Sequence, residues 1–153
     1  MKNVSIYSIK LIREAHSEYP LTVQLYSPQS AAEILATYLQ YVDREHLVLL
    51  FVSNKHKITG IHTAHVGTMT GAATSPREIF KAALSAHACR LVIGHNHPSG
   101  NCLPSKEDRV FTERLLEVGK LLDIPVIDHI IVGIEPGETT HNYFSFAQEG
   151  LIK

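Results

Sequence analysis

Apolar positions along this chain change their period at polar punctuation marks, and the alternation predicts strands interleaved with helices. Apolar runs over 45–54 and 57–64, joined by the polar turn Asn54-Lys55-His56, read as a two-strand hairpin. The runs at 90–94 and 124–132 read as buried strands, and 143–146 as a short last one. Helical spacing of apolar residues extends from Ser30 to about Tyr41, from Pro76 to about Ala86, and through Phe111, Leu115, Val118 and Leu122. Each helix has a start signal: Ser30-Ala31-Ala32-Glu33 as a capping box, Ser75 with Glu78 and Pro76 as another, and Ser105 as an N-cap. Residues 3–13 read as a first strand or an irregular arm, and 67–71 form a Gly-containing link. The fold class is α/β, a single-domain α-β sandwich whose hairpin makes the sheet mixed.

Composition narrows the setting. The 153 residues, 44% of them apolar, suit one compact domain that buries about two thirds of its unfolded surface. An arm over 1–27 followed by a domain over 28–153 is the expected division. No stretch of eighteen or more apolar residues and no basic-then-apolar leader is visible, so a soluble, cytoplasmic protein with no membrane partner is expected. Two cysteines make no disulfide framework. Cys89 reads as a core residue; Cys102 is an ordinary loop residue or a reactive, metal-poisoning thiol.

Chemistry concentrates in His95-Asn96-His97-Pro98 and in the Ser105 and Asp108 that follow. The two-residue spacing of His95 and His97 points both imidazoles to one side of a strand that Pro98 ends. Asp108 lies on the apolar stripe of the next helix, three residues before Phe111, where a carboxylate is costly unless it is paired or binds a metal. Its place in the first turn favours the ionised form. Ser105 and Asp108 can also be read as a helix cap alone, and the histidines as satisfied core residues. Two imidazoles and one carboxylate leave a fourth position open, which is the make-up of a catalytic Zn2+ site rather than a closed structural one.

Together these residues resemble the RadC-like proteins of the JAMM (MPN, or JAB) metallohydrolase superfamily. The pattern H-x-H-P, six residues, S-x-x-D is met by His95, His97, Pro98, Ser105 and Asp108. Gly67-Thr68, Ser75-Pro76-Arg77-Glu78, Asp128-His129-Ile130-Ile131-Val132-Gly133 and Phe144-Ser145-Phe146-Ala147 match as well. The resemblance runs from about Ser27 onward and implies a JAMM/MPN-like architecture similar to that of cytidine deaminases. It implies zinc held by His95, His97 and Asp108, with the Ser105 hydroxyl stabilising an oxyanion during water attack on a peptide or isopeptide carbonyl. Peptidase members use an upstream Glu as general base.

At the position aligned with that Glu stands His62, and no Asp or Glu occurs between Glu45 and Glu78. Glu45, at the opening of a strand, and Glu78, in a capping box, read as structural. Three roles stand open for His62: general base, fourth ligand closing the site, or bystander. His65, three residues on, falls on the opposite face of an extended segment. Asp128 and His129 interrupt an apolar strand and read either as a second shell behind the ligands or as core hydrogen bonding. The alternative function is a DNA-repair-associated or protein-binding module with a metal site and little turnover. Nucleic acid enters by the family label only: the formal charge is −1 and the helix after the metal loop mixes both signs. Specificity is expected in the loops 67–74 and 134–142.

Overall fold

The computed structural model describes residues 24–68, 75–133 and 142–153, together with Ser8 and Ile12. The elements are α1 (Pro28–Leu39), β1 (His46–Val52), β2 (Ile58–Val66), α2 (Pro76–Ser85), β3 (Arg90–His97), α3 (Lys106–Leu121), β4 (Val126–Gly133) and β5 (Asn142–Ser145). The strand expected over 3–13 and most of both specificity loops lie outside the described residues.

The five strands form one mixed sheet in the order β2-β1-β3-β4-β5. Only the β3–β4 pair, joined through α3, is parallel; β1–β2, β1–β3 and β4–β5 are antiparallel. Both faces are covered. On one, Ala31, Ile34, Leu35 and Leu39 of α1 pack on Val48, Leu50, Val92 and Ile130. On the other, Ile79 and Phe80 of α2 and Leu115 of α3 pack on Leu47, Leu49, Leu91 and Ile93. The alternation along β1 and β3 sends successive side chains into these two cores, which explains why both strands read as continuous apolar runs. A single α/β domain with a mixed sheet results, as the hydrophobic pattern predicts. Among the described residues no helix is long and apolar enough to cross a membrane.

Two helix starts differ from expectation. Helix α1 begins at Pro28, not Ser30: Ser27 is extended (φ −159°, ψ 164°) and its hydroxyl accepts from the Ser30 amide, so Ser30 is the third helical residue. Pro28, with φ already near the helical value, lets the helix start two residues earlier. Glu33 instead accepts a hydrogen bond from Gln29. At α2, Ser75 is the N-cap residue and Pro76 follows as read, but the Ser75 side chain makes no capping bond, and Glu78 pairs with Lys81. In β2 a bulge breaks the alternation. His62 pairs with Leu49 and His65 with Leu47, so both histidines lie opposite residues of one β1 face rather than on opposite faces.

Close backbone approach places the loop that leaves β3. Gly133, the last residue of β4, pairs with His97, and a Cβ there would collide with the carbonyl oxygen of Gly100, itself at φ +79°. The collision is with backbone, which gives little. Gly133→Ala is therefore expected to destabilise the domain by about 1–3 kcal/mol, read as a lowered urea midpoint. An unchanged midpoint would show that the loop does not need this contact.

Candidate metal centre

His95 and His97 stand at the carboxyl end of β3, where the β1–β3 ladder stops at Leu47 opposite His95. Both are odd-numbered, like Leu91 and Ile93, and so face α3. Helix α3 starts directly across from them with Ser105 as its N-cap. The Ser105 hydroxyl accepts from the Asp108 amide at 3.0 Å, and the Asp108 carboxylate accepts from the Ser105 amide at 2.7 Å. The candidate ligand Asp108 is thus itself the N-cap's partner in the capping box. The reciprocal bonds turn the carboxylate inward, where only 3% of the residue remains exposed. The buried stripe of α3 consists of Asp108, Thr112, Leu115 and Gly119, whereas Phe111 and Val118 of the expected stripe are only partly buried and Leu122 is exposed.

Four donors converge. The His95 and His97 Nε2 atoms are 2.9 Å apart; Asp108 Oδ1 is 3.3 Å from His95 Nε2, and Asp108 Oδ2 is 3.5 Å from His97 Nε2. On the other side, Glu45 Oε1 is 4.0 Å from His95 Nε2, and ligand atoms of Glu45, His95 and His97 all lie within 4.8 Å of one another. Glu45 therefore has a place in the site as well as at the opening of a strand, contrary to the purely structural reading of it. Continuing the β1–β3 register by two residues sets Glu45 opposite His97 on the same face. A buried Asn96 holds it there. Its Oδ1 accepts from the His46 amide at 2.8 Å and its Nδ2 donates to the Arg44 carbonyl at 3.1 Å, replacing the next rung of the ladder on both sides of Glu45. The Gly67 amide donates to the Glu45 carbonyl from β2.

His62 is not among these groups. It lies on the Leu49–Ile93 row of the sheet, two residues short of the Leu47–His95 row, on the edge strand. Its exposed ring stacks on Phe51. His65 bonds the Thr68 carbonyl.

Asp128 and His129 divide between the two readings given to them. Asp128 accepts from the Ser145 hydroxyl at 2.7 Å and from the His129 and Ala147 amides, pinning the turn after β5. Burial pushes its carboxyl above the ordinary range, against the pull of these bonds. His129, fully buried, lies directly behind His95, with its Nε2 2.8 Å from His95 Nδ1. Phe146 stacks on it at 4.8 Å and Phe111 meets its edge. Burial foremost, then the neighbouring His95, hold its imidazole well below the usual histidine range. Cys102 packs beside the cluster of Ile131, Phe146 and Ile152.

The donor set fits a divalent ion. The Asn101 carbonyl, 2.7 Å from His97 Nδ1, can only accept, so that nitrogen carries hydrogen and Nε2 is left to face the cleft. Tetrahedral N and O ligands at 2.0–2.1 Å from zinc lie about 3.4 Å apart, close to the separations of Asp108 from the two imidazoles. A hydrogen bond to Asp108 raises the His97 pKa above its ordinary value, despite opposing partial burial. Burial pushes the Asp108 carboxyl up, but bonds from His95 and His97 when they carry a proton on Nε2, and from Ser105, outweigh it and leave the group far below the usual carboxylate range.

An α/β domain with paired imidazoles and carboxylates at a strand end is the class that fold and site define. The family described as RadC-like JAB domain matches residues 25–151, and the chain belongs to that family. A UPF0758 protein of Thermosynechococcus vestitus is 44% identical over 70% of this chain and 43% of its own length. One of Histophilus somni is 40% identical over 82% of this chain and 54% of its own. A UPF0758 protein of Staphylococcus haemolyticus is 32% identical over 99% and 68%. The chain spans about half the length of the first two.

Metal uptake must displace the proton that the raised His97 retains. The neutral imidazole binds, so below that raised pKa zinc affinity should fall about tenfold per pH unit. Chelator competition across pH measures this; an affinity flat through the histidine range would exclude His97 from the metal.

Proposed function

We propose that this domain is a zinc-dependent hydrolase that cleaves a peptide or isopeptide bond, with His95, His97 and Asp108 as ligands and Glu45 as general base. The observation that carries the reading is the position of Glu45. Its carboxylate lies 4.0 Å from His95 Nε2, farther than the 3.3 Å of Asp108, at a distance suited to a proton acceptor beside a ligand shell. Bound zinc supplies Lewis acidity, which acidifies water and polarises a carbonyl.

The chain's own groups supply the rest. Glu45 takes the proton from the attacking water and returns it to the departing amine, a role that needs a carboxylate fixed in place. Asn96 and Gly67 provide that fixity through the backbone on either side of it. The Ser105 Oγ accepts from the Asp108 amide, which leaves its hydrogen free to donate to the developing oxyanion. The first turn of α3 adds its dipole there. Exposed on the edge strand and stacked on Phe51, His62 is a bystander in this scheme.

The test pairs two variants with zinc content and with hydrolysis of a panel of labelled peptides and isopeptides. Glu45→Gln should keep zinc and lose about 10²- to 10⁴-fold in turnover, while His62→Ala should keep both. Loss of zinc in Glu45→Gln would make Glu45 a ligand. Retained zinc with no turnover on any substrate would favour the binding-module reading.

A further inference from the structure

We infer that Thr112 is a positioning residue that sets the tautomer of His95 through the buried ring of His129, and so leaves the Nε2 that faces the proposed metal position free of hydrogen. The inference rests on the zinc site proposed above and deepens it. Its geometry is a chain of three short hydrogen bonds. Thr112 Oγ1 lies 2.6 Å from the Asp108 carbonyl oxygen and 2.6 Å from His129 Nδ1; His129 Nε2 lies 2.8 Å from His95 Nδ1.

Direction along the chain follows from counting hydrogens. A carbonyl oxygen only accepts, so the single Thr112 hydroxyl hydrogen goes to Asp108. The Thr112 oxygen can then only accept, and His129 must carry its hydrogen on Nδ1. A neutral imidazole has one N–H, which leaves the His129 Nε2 as an acceptor. His129 is wholly buried between Phe146 and Phe111, surroundings that favour the neutral ring. His95 therefore donates from Nδ1, and its bare Nε2 is the atom turned to Asp108 and His97.

The chain also closes on itself. It begins at the main chain of Asp108 and ends at the imidazole beside the Asp108 carboxylate, so one threonine and one histidine tie helix α3 to strand β3 at two of the three proposed ligands. Thr112 is four residues after Asp108, one helical turn, which brings its hydroxyl to the carbonyl of that residue. Metal-binding histidines generally have the second nitrogen held by an acceptor; here the acceptor is another histidine, whose polarity is set one step further out.

Nitrogen-15 imidazole spectra of the metal-free wild-type protein, recorded above the ordinary histidine range, test the inference without any variant. His95 and His129 should both carry hydrogen on Nδ1. Thr112→Val removes the acceptor at Oγ1 and should invert both tautomers, with zinc affinity lower by about 10- to 100-fold in chelator competition; Thr112→Ser should restore both within a few-fold. A merely structural role would lower the melting temperature without moving hydrogen between ring nitrogens. A wild-type His95 bearing hydrogen on Nε2, or a Thr112→Val protein with unchanged tautomers and affinity, would overturn the inference. Should the wild-type chain take up no zinc, the metal assignment falls, while the metal-free spectra still decide the relay.

Discussion

Asp108 is a buried carboxylate that must be satisfied from several sides at once, and the rest of the site is arranged around that demand. An isolated buried charge costs several kcal/mol. The Ser105 amide, the helix N-terminus and two imidazoles that can each carry a proton on Nε2 offset the cost here. To supply them, the carboxyl end of β3 has to meet the first turn of α3, and Gly133 has to let the connecting loop lie against β4. The convergence of imidazoles and carboxylates at the end of β3 accompanies this packing.

The hydrophobic pattern was sufficient for the strands, the helices and the inward faces that carry His95 and His97 on one element and Asp108 on the next, because each of those depends on periodicity within one element. What escaped it depends on pairing between elements. Glu45 joins the site only through the β1–β3 register, which no local pattern contains. Asn96 has the wrong parity to face the cleft, yet its amide acts at the backbone where the ladder ends. Thr112 lies between the apolar positions of α3 and carries no signal of its own in the hydrophobic pattern, although its spacing of one helical turn from Asp108 was a usable one. The bulge in β2 likewise defeated simple alternation at His62 and His65.

Asp128 and His129 illustrate how adjacent polar residues in a strand divide their work. Asp128 faces the turn after β5 and secures Ser145 and Ala147; His129 faces His95, the proposed ligand. The motif Phe144-Ser145-Phe146-Ala147 acquires a physical meaning from this division. Ser145 and Ala147 bond Asp128, and between them Phe146 is held flat against the His129 ring.

That wall has a consequence for the order of assembly. His95, His97 and Asp108 lie within fourteen consecutive residues, whereas Phe146 is made 38 residues after Asp108. In a growing chain the proposed ligands thus emerge from the ribosome before the residue that stacks on the back of His129 does. Selectivity among ions at that stage would have only the bare side chains to rely on, and a preorganised centre would exist once β5 has closed the sheet.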